Sequence, residues 1–338
     1  MKTTLPLVGD PHPTRAPGWD RALWVVMLLA AVSCSRTDSP HVPKAGTSYD
    51  PETGLPLEIV SVHDGAEMVL VRAGAFRRGE PDGANRVAPM AAFYIDKYEV
   101  TNERYCRFTS ATGRPTPSLA PGEQSRDALL FRWEHGRYPD GREAYPVVYV
   151  SFEDATAFAK WAGKKLPTQM QWEYAARSPD NREFPWGNAK LSVSECNTAD
   201  RLAGRELLSA DMWHEWYVRW VGLDPAERNG GALTRVGSLP RDVSPAGCFD
   251  LGGNVREWCI RRSDNGYADG EAGGYVATNT HVVCGGSWLR RCEMARAWRT
   301  SIAESPRCYD VGFRCVVPAA DPAVQALARP QTAAASAE

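Results

Sequence analysis

The sequence carries little net charge, few histidines and no apolar run long enough to cross a membrane as a helix. Lysine and arginine number 39 and aspartate and glutamate 41, which leaves a formal net charge of −2. A near-neutral chain shows no excess of positive charge that would attract the phosphates of a nucleic acid, so we expect no nucleic-acid partner. The six histidines are scattered without the spacing of a facial iron triad, so we expect none of them to bind a metal.

Hydrophobic, aromatic and turn-forming residues are abundant instead. The 338 residues are 43% hydrophobic and 24% charged, which is enough apolar material to bury a core. The chain has 12 tryptophans, 29 glycines and 25 prolines. This mixture predicts a loop-rich domain whose core is filled by aromatic rings.

A short apolar run near the N-terminus indicates export. Residues 22–32 are apolar, which is too few for a membrane-spanning helix of about 20 residues. Arg15 and Arg21 precede the run, and small residues follow it up to Cys34. This order resembles a bacterial lipoprotein signal, in which that cysteine is lipidated, so we expect an exported protein held to a membrane of the cell envelope through Cys34. A plain cleaved signal with an incidental cysteine is the alternative.

Composition divides the chain into four parts. We expect a lipoprotein-type signal peptide over residues 1–33, a tether over 34–54, one folded domain over 55–317 and a disordered tail over 318–338. Prolines and glycines among polar residues mark the tether, and an alanine- and proline-rich composition without aromatic residues marks the tail.

Eight cysteines lie beyond Cys34, and their number and expected compartment favour disulfide bonds. Because exported proteins fold in an oxidising environment, an even set predicts bridges rather than free thiols. The sequence leaves the pairing open. The eight are Cys106, Cys196, Cys248, Cys259, Cys284, Cys292, Cys308 and Cys315.

Local signals predict several helices. Ser151 stands three residues before Asp154, and Thr168 stands three before Gln171, which is the spacing of a capping box. Thr101 is predicted to cap an earlier helix. The two capping boxes therefore place two short helices one after the other, across a tight link.

Residues 202–223 carry aromatic side chains at near-helical spacing, among them Trp213, Trp216 and Trp220. We expect an inserted amphipathic helix that packs on the domain. If the aromatic face were exposed, it would instead form a site for a partner or ligand.

A series of motifs running in order over residues 57–317 resembles the formylglycine-generating enzyme family, the sulfatase-modifying-factor domain. The resemblance implies an α+β fold related to C-type lectins, formed by a single compact domain with little regular secondary structure and bound calcium. The motifs include residues 165–168 (KLPT), 172–177 (WEYAAR), 250–258 (DLGGNVREW), 285–288 (GGSW) and 312–315 (GFRC).

The resemblance also implies a calcium site in the loop after residue 249. The family's ligands correspond here to the side chains of Asp250 and Glu257 and the carbonyls of Gly253 and Val255. Hard oxygen ligands of this kind suit Ca²⁺. The alternative is a sharp loop whose Glu257 pairs with an arginine. A weaker second site would start at Asn197.

The sequence departs from the family's pattern at the copper site. Its oxidase members convert a substrate cysteine to formylglycine with two cysteines that hold Cu(I), and both follow the Gly-Gly-Ser strand. Here those positions are Arg290 and Ala295. Because a cation stands where a thiolate would bind the soft ion, we expect no copper. We therefore predict a non-catalytic binding or scaffold module with a protein or peptide partner in the envelope.

The alternative is an oxidase that acts on a protein cysteine through a rearranged copper site. Its site would pair Cys292 with Cys284 or with Cys308, and Ser287 lies in a segment that lines the peptide groove of the oxidase members. In an oxidising compartment we expect these cysteines to be bridged and Ser287 to hold the fold. An iron enzyme is a third possibility.

Overall fold

A computed structural model gives the protein's structure over most of the expected domain. It describes residues 39–79, 86–118, 131–189, 193, 195–223, 233–261, 281–298, 300–301, 303 and 306–329. Cys34 lies outside these residues, so the signal and lipid predictions remain predictions. Within the described ranges, no helix is both long and apolar enough to cross a bilayer.

Two sheets and a hairpin form the framework. The larger sheet has the antiparallel order β1-β2-β3-β6-β11, and the smaller has the order β10-β7-β8-β9 with β10 parallel to β7. Strands β4 and β5 pair with each other. The strands are β1 His41–Pro43, β2 Glu58–Ser61, β3 Glu67–Val71, β4 Gly74–Arg78, β5 Arg86–Met90, β6 Phe93–Asp96, β7 Arg256–Ile260, β8 His281–Cys284, β9 Thr300–Ser301, β10 Val311–Gly312 and β11 Val316–Pro318.

Short helices pack around the sheets, so the predicted α+β class is confirmed. The helices are α1 Asn102–Thr112, α2 Phe152–Trp161, α3 Gln169–Arg177, α4 Ala199–Ala203, α5 Ala210–Gly222 and α6 Pro322–Gln325, with a 3-10 turn at Cys292–Ala295.

The predicted helix caps are confirmed. The Thr101 hydroxyl accepts a hydrogen bond from the first turn of α1. Ser151 with Asp154 and Thr168 with Gln171 both form complete capping boxes. Because each box satisfies two backbone N–H groups that the helix leaves unpaired, it fixes where α2 and α3 begin.

The main core lies between the two sheets and α3. Val69 and Phe93 face it from the larger sheet, Cys259 and Val282 from the smaller sheet, and Trp172 from α3. The other face of the larger sheet packs against residues from both ends of the described chain.

The predicted tether and tail are wrong over residues 39–54 and 318–329. Strand β1 pairs with β2, and His41 within it is only 1% exposed. At the other end, Ala319 and Val324 pack on the larger sheet. Polar composition predicted a loose chain, but backbone pairing and burial at the sheet offset the entropy cost of ordering it.

The inserted helix packs as predicted. Trp216 and Trp220 on α5 are 9% and 7% exposed, and the ring centroid of Trp220 lies 5.0 Å from that of Trp288. The alternative of an exposed aromatic face is therefore wrong for these two side chains. Helix α5 covers the segment that follows β8.

The predicted disulfides are not seen among the described cysteines, of which Cys106, Cys196, Cys248, Cys259, Cys284, Cys292 and Cys315 are free thiols. All but Cys106 are buried, and they are distributed among separate parts of the interior. A buried thiol packs as a small apolar side chain, so these positions are filled without bridges.

Candidate functional site

The loop at residues 250–257 enters β7 through a sharp turn that its sequence permits. Asp250 and Asn254 adopt left-handed backbone, with φ of 62° and 65°. A Cβ on Gly253 would lie 2.6 Å from the carbonyl oxygen of Asn197. Because real Cβ contacts do not come that close, the loop requires glycine at this position.

Asn197, the predicted start of a second metal site, supports this same loop. Its Nδ2 donates to Asn254 Oδ1 at 3.1 Å, and its carbonyl accepts from the Asn254 N–H at 2.9 Å. The later ligands of that second site would fall near Arg228 and Asn229, which do not match the family's ligands and lie outside the described residues. The structure thus places Asn197 beside the first loop.

Glu257 is fully buried and forms the ion pair named as the alternative to calcium binding. Arg314 Nε lies 2.7 Å from Oε2 of Glu257, and Arg314 Nη2 lies 2.7 Å from Oε1. The indole of Trp172 also donates to Oε2 at 2.9 Å. A carboxylate offers about four lone pairs, and these contacts take three, so Glu257 keeps capacity for one more ligand interaction.

Two further buried carboxylates hold the loop, and sequence reasoning did not assign them. Glu99 accepts from Asn254 Nδ2 at 2.7 Å and from the Val255 N–H at 3.2 Å. Asp242 accepts from the Gly252 N–H at 3.0 Å. No local sequence pattern marks the carboxylate of Glu99 as buried.

These residues form a set that we call the acidic cluster, and it has more buried negative charge than positive. Each member is at most 1% exposed. Four carboxylates meet one guanidinium, so the charges do not balance. The acidic cluster consists of Glu99, Asp242, Asp250, Glu257 and Arg314.

The imbalance appears in the pKa values of the carboxyl groups. Burial, with the carboxylates of Asp250 and Glu257 nearby, raises the pKa of Glu99 well above its ordinary value. Burial and the charge of Asp250 likewise raise the pKa of Asp242. Burial raises the pKa of Asp250 to about 7, against the opposing hydrogen bond from the Gly237 N–H. Buried carboxylates of this kind require either protons or a cation.

The donor chemistry fits a hard divalent cation. Within the described part of the chain, no three His, Cys, Asp or Glu side chains converge as a metal site. The predicted calcium set needs only two side chains, because Gly253 and Val255 would contribute carbonyls. The set contains only oxygen ligands, which suit Ca²⁺, and its surroundings have surplus negative charge.

The two positions that correspond to the copper cysteines contain no thiol. Ala295 is fully buried. Arg290 Nε lies 3.5 Å from Asp310 Oδ2, and the same oxygen accepts from Ser287 Oγ at 2.9 Å. Ser287, for which a structural role was predicted, therefore donates a hydrogen bond to the buried carboxylate of Asp310.

Cys284, one candidate thiol, has a thiol neighbour other than those predicted. It lies beside Cys259, with which it shares a hydrogen bond across β7 and β8. Burial, and then Cys284, raise the pKa of Cys259 well above its ordinary value. Both are at most 1% exposed, so neither thiol is presented to a substrate at the surface.

Cys292, the other candidate thiol, lies in a different environment. Its backbone N–H donates to Asp200 Oδ2 at 2.7 Å, and it lies within electrostatic range of Cys196. Burial and the Asp200 carboxylate raise the pKa of Cys292 to about 12. Cys308 belongs to the core around α1 and α2, and Cys284 to the main core. The thiol neighbours that the structure shows for Cys284 and Cys292 are Cys259 and Cys196, which are not the partners predicted for a rearranged site.

Comparisons with known proteins agree with this architecture. Residues 57–319 match the family described as Sulfatase-modifying factor enzyme 1-like domain. The chain is 32% identical over 317 residues to the formylglycine-generating enzyme of Mycobacterium tuberculosis, with 76% of this chain and 98% of that protein covered. It is 27% identical over 298 residues to the inactive C-alpha-formylglycine-generating enzyme 2 of Bos taurus, with 75% and 89% covered.

A solved structure supports the fold. PvdO from Pseudomonas aeruginosa matches with a TM-score of 0.54 at 22% identity, and the match covers 80% of this chain and 99% of that one. At this identity the likeness concerns the fold alone.

Proposed function

The chain belongs to the sulfatase-modifying factor family, and from that premise we propose that it is a non-catalytic binding module in which the copper site has been replaced. Arg290 and Ala295 at the two thiolate positions carry this proposal. A guanidinium repels Cu(I), and a methyl group cannot bind it. A family relative named as inactive is consistent with such a loss.

The neighbouring thiols support the same proposal. Copper binding and attack on a substrate both require thiolates. Burial raises the pKa of Cys259 and of Cys292, so both remain protonated near neutral pH. Their protonated state disfavours a substitute copper site.

The alternative is an oxidase with a rearranged site, and one observation favours it. Cys259 and Cys284 are neighbouring free thiols, and Cys284 directly precedes the Gly-Gly-Ser segment. Their complete burial opposes this alternative, because a substrate cysteine has to reach the metal. A separate test of this pair is therefore part of the experiment below.

Anaerobic titration with Cu(I) against a competing chelator tests the proposal. We expect the natural chain to hold no copper, and we expect the double variant Arg290→Cys, Ala295→Cys to gain a bound ion, since both substitutions restore thiols. Circular dichroism and thermal unfolding check that the variant folds. Stoichiometric copper in the natural chain, lost in Cys284→Ala, would establish the oxidase alternative and overturn the proposal.

We further propose that the loop at residues 250–257 holds one calcium ion. Asp250 and Glu257 would contribute carboxylates, and Gly253 and Val255 would contribute carbonyls. The surplus of buried negative charge supports this assignment, because a divalent cation would allow the carboxylates to stay ionised. The ion's role would be to fix the loop that enters β7.

We also propose that the module is exported and held to the envelope membrane through lipid on Cys34, where it meets a protein or peptide partner. The apolar run before Cys34 supports this. Cell fractionation of the natural chain and a Cys34→Ser variant tests it: the natural chain should sediment with membranes and the variant should not. Equal sedimentation of both would contradict it.

A further inference from the structure

An apolar patch is exposed at the edge of the larger sheet, where the described chain begins. Val42 on β1 is 43% exposed, and Val62, which directly follows β2, is 60% exposed. The pairing of the two strands continues to this point, because the Val62 N–H donates to the Pro40 carbonyl at 2.8 Å. Val60 lies opposite Val42 in the register and is half-buried. Val42, Val60 and Val62 therefore form one surface, which we call the edge patch.

The opposite face of the same sheet edge is buried inside the domain. Side chains alternate between the two faces of a strand, so those of His41, Ile59 and Ser61 point away from the edge patch, and all three are at most 1% exposed. An antiparallel edge with one buried face ordinarily carries polar side chains on the other. The edge patch departs from that alternation, which indicates a contact surface.

The charged residues beside the edge patch pair with one another. Lys44 Nζ lies 2.6 Å from Glu58 Oε2 and 2.9 Å from Glu67 Oε2. Lys97 Nζ lies 3.6 Å and 3.7 Å from the same two oxygens. Two cations thus meet two carboxylates, so this network gives a partner little net charge to bind. We therefore expect the edge patch to select its partner by apolar contact.

The length of chain before β1 indicates which partner lies within reach. Residues 34–38 separate the expected lipidated cysteine from Ser39, the first described residue. Fully extended, these residues span at most about 18 Å, whereas a free tether over residues 34–54 would span about 75 Å. Ser39 Oγ donates to the His41 carbonyl at 2.8 Å, so the described chain enters β1 directly. A lipid on Cys34 would therefore keep this sheet edge close to the bilayer.

We propose that the edge patch docks on the surface of the phospholipid bilayer that holds the lipid of Cys34. The proposal rests on the lipid anchor proposed above, because the anchor brings the patch to the bilayer. The valine side chains would enter the headgroup and upper acyl region, while the ammonium groups of Lys44 and Lys97 stay at the headgroups. Docking of this kind would fix the orientation of the domain on the membrane.

The test uses the natural lipidated chain in phospholipid vesicles that contain spin-labelled lipids. A fluorophore is attached at Val62→Cys or, as a control, at Val218→Cys, which is 56% exposed on α5. We expect spin-labelled lipid to quench the Val62 probe about twofold or more strongly than the Val218 probe, because an interfacial group lies at the depth of the headgroups. The unsubstituted chain, labelled in parallel, measures the signal from the natural cysteines.

Two further variants separate apolar contact from closeness to the bilayer. In the Val62→Cys chain, Val42→Asp should reduce quenching to the level of the Val218 probe, because an unpaired carboxylate is costly to bring into the interface. Val87→Asp should leave quenching unchanged: this residue is 62% exposed but lies on β5, outside the edge patch. Thermal unfolding of both variants checks that they fold.

Equal quenching of the Val62 and Val218 probes, or quenching that survives Val42→Asp, would overturn the inference. A Val62 probe that is shielded from aqueous iodide but not reached by spin-labelled lipid would also overturn it, since a protein partner or a second copy would then cover the patch. Mass spectrometry separates this failure from failure of the anchor. A lipidated chain with equal quenching loses only the docking surface, whereas a chain without lipid on Cys34 loses both.

Discussion

Two clusters of charge lie in the interior of this protein and differ in the balance between positive and negative groups. The acidic cluster contains four carboxylates and one guanidinium. The second cluster, which we call the balanced cluster, contains two of each sign, and its carboxylate and ammonium side chains are fully buried. The balanced cluster consists of Asp64, Asp96, Arg104 and Lys164.

Contacts in the balanced cluster satisfy every charge from within the chain. Lys164 Nζ lies 2.9 Å from Asp64 and from Asp96, and Arg104 Nη2 lies 2.8 Å from Asp96. Burial alone would raise the pKa of Asp64, but the charges of Arg104 and Lys164 outweigh it and hold that pKa well below its ordinary value.

In the acidic cluster the carboxyl pKa shifts in the opposite direction, since burial raises the pKa of Asp250 to about 7. The comparison teaches that the number of cations within reach, rather than burial alone, decides the charge state of a buried carboxylate. The balanced cluster is neutralised from within the chain, whereas the carboxylates of the acidic cluster require protons or a cation from solution.

The largest expected effect comes from unbalancing the balanced cluster. Lys164→Met should reduce the free energy of unfolding by about 3–5 kcal/mol, because it leaves buried carboxylates with too little positive charge. Chemical denaturation measures the loss. Lys44→Met is the control: its ion pairs with Glu58 and Glu67 are about one-third exposed, so the loss should be about 0–1 kcal/mol. Similar losses would contradict the account.

A smaller effect should follow removal of calcium from the acidic cluster. At a calcium concentration of about 100 times the dissociation constant, a bound ion stabilises by about 2.7 kcal/mol, and a chelator should remove that amount. Differential scanning calorimetry with and without calcium checks it. Asp250→Ala should abolish the response to calcium, whereas Lys164→Met should retain it if folded. A calcium response that survives Asp250→Ala would place the ion elsewhere.

The smallest effect concerns His41, which faces the balanced cluster. Burial and the charge of Lys164 lower the pKa of His41, against the weaker attraction of Asp321, Asp64 and Asp96. As the pH falls through about 6.5, His41 therefore becomes protonated in the unfolded chain while it stays neutral in the folded chain. Stability from this residue should be complete above pH 6.5 and decline as the pH falls below it.

Denaturation at pH 7.5 and pH 5.5, with calcium present throughout, measures this decline. His41→Gln should reduce the dependence on pH, because the variant has no imidazole to protonate in the unfolded state. An unchanged pH dependence in the variant would assign the decline to other groups.

The features that sequence predicted correctly are those determined by residues close together in the chain. Ser151 and Asp154 interact within one helical turn, so their spacing alone specified the cap of α2. The spacing of Trp216 and Trp220 likewise specified the buried face of α5. Such signals need no knowledge of the remaining fold.

The features that sequence missed depend on contacts between distant residues. Glu99 meets Val255 across 156 positions, and Asn197 meets Asn254 across 57. No spacing rule predicts such pairs. The disulfide prediction rested on the expected compartment and the even number of cysteines, and neither signal tells which thiols the fold brings together, such as Cys259 and Cys284.

The same limit explains the N-terminal and C-terminal errors. Residues 39–54 are polar, yet β1 completes the sheet edge beside β2. The predicted tail begins at Pro318, the last residue of β11, and continues into buried contacts. Composition predicts whether an isolated segment tends to be disordered, but it does not predict that the segment will pair with the edge of a sheet.

The central claim is that the family's oxygen-ligand loop is retained while its soft copper site is lost. Metal analysis of the full-length chain, after exposure to both Ca²⁺ and Cu(I) under anaerobic conditions and removal of loosely bound ions, tests both halves together. The account predicts one calcium ion per chain and no copper. Copper without calcium would contradict it completely.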